Sequence, residues 1–88
     1  MKKASKQDYP GAIADYTSAV EAQHAPDDVI AMAIYNRALA FSAIQENEKA
    51  ANDLDTVLKM PGLAVEVETA ARKRRERIRK RSERDERE

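Results

Sequence analysis

Slid along itself by 38 residues, this chain falls on a copy of its own helical pattern. Ala12 lands on Ala50, Asp15 on Asp53, Tyr16 on Leu54, Ala19 on Val57 and Val20 on Leu58. The shared element is a small residue, a large apolar one four places on, then a small or medium one three places further. Small residues let two helices approach closely, and the large one fills the seam between them. A period of roughly 20–50 residues marks stacked helical units that bury their apolar faces only against neighbours. With 88 residues the chain is one domain at most. A domain of that size hides only about 60–65% of the surface its unfolded chain exposes, so the core is thin. Ala supplies 16 residues of the 42% that are hydrophobic, and there is one Phe and no Trp. Close helix contacts, not a deep aromatic centre, must hold such a core.

The breaks in the pattern divide the chain into four helical segments. Both Gly residues follow a Pro, at Pro10-Gly11 and Pro61-Gly62, and no stretch alternates apolar and polar with β-branched residues, so no strand is expected. The first helix is expected from about Tyr9 to Gln23, capped by Asp8, with Pro10 harmless in the first turn. Its apolar residues Ala12, Ile13, Tyr16, Ala19 and Val20 recur at three- and four-residue steps. His24-Ala25-Pro26-Asp27-Asp28 interrupts it. A second helix, capped by Asp27 or Asp28, reaches about Ile44 with Ile30, Ile34, Ala38 and Phe41 on its buried stripe. After the turn Gln45-Glu46-Asn47, with Asn47 as the cap, a third helix from about Glu48 to Met60 buries Ala50, Ala51, Leu54, Val57 and Leu58. Met60-Pro61-Gly62 stops it, because Pro cannot continue the hydrogen-bond ladder. A fourth helix starts near Leu63 with Val67, Ala70 and Ala71 on one face, and Ile78 is the only apolar residue beyond.

The segment from the second helix through the third resembles the tetratricopeptide repeat, a helix–turn–helix unit of about 34 residues. Ala33-Ile34-Tyr35-Asn36-Arg37-Ala38-Leu39-Ala40-Phe41 is similar to that family's first helix. Ile34 stands where the family often has Trp, Ala38 where it has Gly or Ala, and Phe41 where it has Tyr. Ala50 and Leu54 match the Ala-x-x-x-Phe element of its second helix, and Pro61 its terminal Pro, one residue early. The first helix resembles the second helix of a preceding repeat. The resemblance covers about residues 8–71 and implies an all-α fold of antiparallel helical hairpins of tetratricopeptide type, about one and a half repeats plus a long charged C-terminal helix. Its repeat-core residues would be Ala12, Tyr16, Ala19, Ile34, Ala38, Phe41, Ala50, Leu54 and Val57. The spacing of 38 makes the 24–28 link about one helical turn longer than usual in the family. With eight residues before Tyr9, the first repeat lacks most of its first helix. The apolar face of the first helix is therefore expected to lie partly open, the chain being a fragment or that face being covered by something else.

Residues that would carry chemistry are sparse. The single His24 sits in a polar link, and Asp27-Asp28 alone do not complete a metal site. There is no Gly-rich phosphate loop, no paired-His motif and no nucleophile set beside a base. The carboxylates read as solvated, and Asp53 and Asp55 point to different sides of a helix. No enzyme, no cofactor and no metal is expected. Without Cys there is no disulfide framework. The longest runs free of charge, such as Val29 to Asn36, fall far short of the ~20 residues of a membrane span. The basic start Met1-Lys2-Lys3-Ala4-Ser5-Lys6 leads into no apolar stretch, so the cytoplasm is the expected location.

In the tetratricopeptide family the first helices line a groove that receives a peptide. The resemblance places Met32, Tyr35, Asn36, Leu39, Ser42 and Ala43 there, and Asn36 falls where carboxylate-gripping members place an Asn. Tyr35 and Leu39 could equally be covered by the fourth helix.

Net charge divides the chain a second way. Residues 1–71 hold 6 Lys/Arg and 11 Asp/Glu, whereas residues 72–88 hold 10 and 5, so a body of −5 joins a tail of +5. We read 1–71 as the helical domain and 72–88 as a basic helical extension. The run Arg72-Lys73-Arg74-Arg75-Glu76-Arg77-Ile78-Arg79-Lys80-Arg81 fits a solvated helix braced by Glu76, Glu83 and Glu86. It also fits docking on the acidic body of a second copy, or binding phosphates. No aromatic residue follows Phe41, so base stacking is not expected and nucleic-acid binding would be non-specific. The leading expectation is a module that binds a protein or peptide on a helical-repeat groove. A self-assembling homodimer with exchanged helices comes second, and a nucleic-acid-associated protein acting through the tail third.

Overall fold

A computed structural model describes residues 8–22 and 24–87, and over them the protein is all-α. Four helices follow in order: α1 (Tyr9–Val20), α2 (Asp27–Ala43), α3 (Asn47–Leu58) and α4 (Val65–Arg87). Their boundaries keep the period of the sequence. Tyr9 and Asn47, Val20 and Leu58, and Asp27 and Val65 are each 38 residues apart. Thus α3 repeats α1 at both ends, and α4 repeats α2 at its start.

The helix ends show which local signals prevailed. Asp8 caps α1 as expected, its carboxylate accepting from the Gly11 N–H at 3.0 Å. A β-carbon at position 11 would press on the Asp8 carboxylate, so any larger residue there would push the capping side chain aside. The helix ends at Val20, short of the expected Gln23, which lies outside the described residues together with the basic start at 1–6. Neither Asp27 nor Asp28 caps α2. The cap position belongs to Pro26, in extended conformation, and the two acids occupy the first turn, where they favour the positive end of the helix dipole. Asn47 likewise does not cap α3; Glu46 holds that position without a side-chain bond, and Asn47 is the first helical residue. The third helix stops at Leu58, two residues before Met60, and α4 starts at Val65, two after Leu63.

Between α2 and α3 the link is only 44–46, which turns α3 back along α2. Gln45 takes the left-handed conformation (φ 65°). The Glu46 N–H donates to the Phe41 carbonyl at 2.8 Å and the Gln45 N–H to the Ser42 carbonyl at 3.0 Å. This pair of bonds is the Schellman closure of a helix C-terminus.

Each helix packs on its neighbour in the chain, and α2 also touches the start of the next unit, α4. The core is a single cluster of Ala31, Ile34, Ala38, Ala50, Leu54, Val57, Ala71 and Ile78, with Phe41 half-buried against it. Ala38, Ala50, Leu54 and Val57 have no exposure at all. Small residues at 38 and 50 bring the α2 and α3 backbones together, and Leu54 fills the seam. Covering an aliphatic side chain of this kind contributes about 1.5–3 kcal/mol. Ile78 is buried too, at 2% exposure, seven residues beyond Ala71 on the same face of α4. The helix therefore keeps its packed face well into the charged run, and it crosses the change of charge at 71/72 without a break.

In contrast, α1 contains no buried residue. Ala12, Tyr16 and Ala19 are half-buried where their counterparts Ala50, Leu54 and Val57 are fully enclosed. The reason lies in the neighbours: α3 is sandwiched by α2 and α4, whereas α1 packs on α2 alone among the described residues.

Candidate protein-binding surfaces

Met32, Asn36 and Leu39 lie along one stripe of α2, at steps of four and three residues. The stripe opens into two separate cavities. Met32, 41% exposed, lines a notch of about 170 Å³ between the first turns of α2, the 59–64 link and the start of α4. Ala31, Met60, Leu63 and Val67 make the notch apolar, and Asp27 and Asp28 edge it. Val29, in the first turn of α2, and Val65, the first residue of α4, are exposed as well. Asn36 and Leu39 instead line a cleft of about 260 Å³ between α1 and α2, facing Tyr9, Ala12 and Tyr16. Tyr35 is half-buried against the core, Ser42 is buried, and Ala43 edges the α1–α2 cleft. The groove residues anticipated from sequence thus divide between two surfaces and the interior.

A polar cluster that the sequence reading missed ties three helices together. Arg37 on α2 grips Asp53 on α3 with both arms, Nε to Oδ2 and Nη2 to Oδ1, each at 2.8 Å. Its remaining Nη1 donates to Thr17 Oγ1 on α1 at 3.2 Å. Asp53 is buried, so the reading of the carboxylates as solvated fails at this position. A buried carboxylate is tolerated because a two-armed guanidinium satisfies it. The hydrogen bond to Asp53 raises the Arg37 pKa above its ordinary value, against the opposing effect of burial. The guanidinium also lies 5.9 Å from the centre of the Phe41 ring, and the Lys49 ammonium 5.8 Å from it.

The backward contact of this cluster recurs one period later. Arg75 on α4 pairs with Asp55 on α3, and these positions lie 38 residues after Arg37 and Thr17. In each copy an arginine of the following helix reaches back to the helix before it. The repeat register could have revealed this set, since it carries both arginines onto one another.

The basic tail is braced within the chain. Arg72 pairs with Glu68 at 2.7 Å, and Arg79 with Glu76 and Glu83 at 2.5 and 2.8 Å. The bond from Arg79 holds the Glu76 carboxyl below its usual range. The expected pairing of Glu86 lies outside the described side chains. Arg74 and Arg81 are half-buried, and Lys73, Arg77 and Lys80 face solvent. Among the described residues no group of acidic or His side chains is placed to hold a metal, and no helix is long and apolar enough to cross a membrane. No family model matches this chain, and no characterised protein or solved structure matches it either.

Proposed function

We propose that this chain is a protein-interaction module of tetratricopeptide type that holds a peptide or protein segment of a partner against the exposed stripe of α2. The observation that carries this reading is the notch around Met32. Large apolar side chains left in contact with water side by side mark an interaction surface more often than scattered ones do, and the exposed Val29 stands three residues before the exposed Met32 on the same helix. A cavity of about 150 Å³ accepts a benzene ring, so the notch suits one aliphatic or aromatic side chain of a partner. Asp27 and Asp28 at its edge favour a partner with basic residues beside that anchor.

A displayed peptide library selected against the full chain tests the reading. Selected peptides are expected to share one apolar anchor with a neighbouring Lys or Arg. Met32→Glu, at an exposed position, is expected to weaken them about tenfold or more by placing charge in the notch. Selection of nothing, or peptides indifferent to Met32→Glu, contradicts the reading.

A further inference from the structure

The internal repeat points to a second surface. Asp53 is gripped by Arg37 from the helix that precedes α3. Its counterpart Asp15, 38 residues earlier, is exposed on α1, and no described side chain pairs with it. Beside Asp15 lie Ala12, Tyr16 and Ala19, the counterparts of the residues that α2 encloses on α3. They are half-open, and Ala12 and Tyr16 line the cleft that Leu39 completes from α2. Thr17, on the other side of α1, faces α2 through Arg37, as Asp55 faces α4 through Arg75. Among the described residues, α1 therefore has the neighbour that follows it in the repeat and none on its preceding side.

We infer that the α1 face receives an amphipathic helix from a partner, and that this helix presents an arginine to Asp15 as Arg37 does to Asp53. The repeat specifies the chemistry of that helix. On α2 the residues at the seam are Ile34, Ala38 and Phe41, with Arg37 directly before the small residue. The occupant thus carries an arginine followed by a small residue, and large apolar residues three or four places to either side of it. A second copy of the chain has no free helix of this kind. Its α2 is already enclosed by α1 and α3, and its α4 has Arg72, Glu76 and Arg79 where α2 has Ile34, Ala38 and Phe41. Charge complementarity with Asp15 and an apolar seam select a partner helix instead. The inference does not rest on the notch, because Asp15 and Met32 belong to different surfaces.

The probe is a helix-constrained, fluorescently labelled peptide copying Asp27–Ala43, titrated into the full chain. Binding is expected. Asp15→Lys in the protein, or glutamate in place of the arginine in the peptide, should each weaken it about tenfold or more, the scale measured for desolvated charge pairs. Combining the two should restore affinity to within about threefold, since the reversed pair re-forms. Asp15 is exposed, so circular dichroism should show the variant folded. An Arg77→Glu control, on the far surface of α4, should change nothing. No binding up to about 1 mM, or affinity that ignores Asp15→Lys, overturns the inference. Self-association that Asp15→Lys abolishes in sedimentation equilibrium also overturns it, by making a second copy the occupant.

Discussion

The two ends of this helical stack are finished differently. At the C-terminal end, the α4 positions that would face a further helix are Arg72, Glu76 and Arg79, with Arg72 tied to Glu68 and Arg79 to Glu76 and Glu83. At the N-terminal end, the α1 positions that would face an earlier helix are Ala12, Tyr16 and Ala19, half-open and apolar, with an exposed Asp15 beside them. One backbone repeat thus carries two instructions. Charge on the α4 face makes burial against a further helix costly, while the half-open apolar and small residues of α1 are a face whose burial would be favourable.

The comparison breaks most sharply at the enclosed seam. Leu54→Ala should cost about 2–5 kcal/mol, since the residue has no exposure and leaves a cavity. Tyr16→Ala, at the same place in the open copy, should cost only about 1 kcal/mol. Urea unfolding of both variants measures the difference, and equal losses would show that α1 is as enclosed as α3. Next come the two arginines. Arg37→Ala strands the buried Asp53 carboxylate and should cost about 3 kcal/mol. Arg75→Ala removes a pair whose partners are both well exposed and should cost about 0.5 kcal/mol. Thermal melts that rank these in the opposite order would mean that burial does not set their worth.

Much of this was readable before the structure. The period of 38 and the positions of Ala38, Ala50 and Leu54 describe the enclosed seam. Caps were less legible, because Pro26-Asp27-Asp28 offers a side-chain cap on paper while the extended Pro26 takes the position first. Ile78 escaped because one apolar residue among charges shows no periodicity by itself, although the helix was expected to run on through it. The stripe Met32–Asn36–Leu39 was legible as one helix face. Its division into two cavities was not, since that depends on which neighbour flanks each half of α2: the 59–64 link at the start and α1 towards the end.

Two smaller effects sharpen the account of the repeat. Gln45→Gly relieves a left-handed backbone at the α2–α3 turn and should stabilise the fold by about 0.5–1 kcal/mol in urea titration. Gly62 (φ 71°) holds the other strained turn, so Gly62→Ala should destabilise it by a similar amount. The smallest effect concerns acid. Glu76 has a lowered pKa in the fold, so its contribution is present above the ordinary carboxylate range and fades as pH falls through the folded value. Glu76→Gln should remove that acid-side decline in α4 helicity while changing neutral-pH helicity little, as followed by circular dichroism.

The central claim is that α1 and α3 are equivalent helices, of which one is enclosed and the other waits for a neighbour. Native-state hydrogen exchange, resolved by residue, tests it most directly. Amides of α3 should open only with the whole molecule, while those of α1 should open at a free energy lower by at least about 1 kcal/mol. Equal protection of the two helices would contradict the claim.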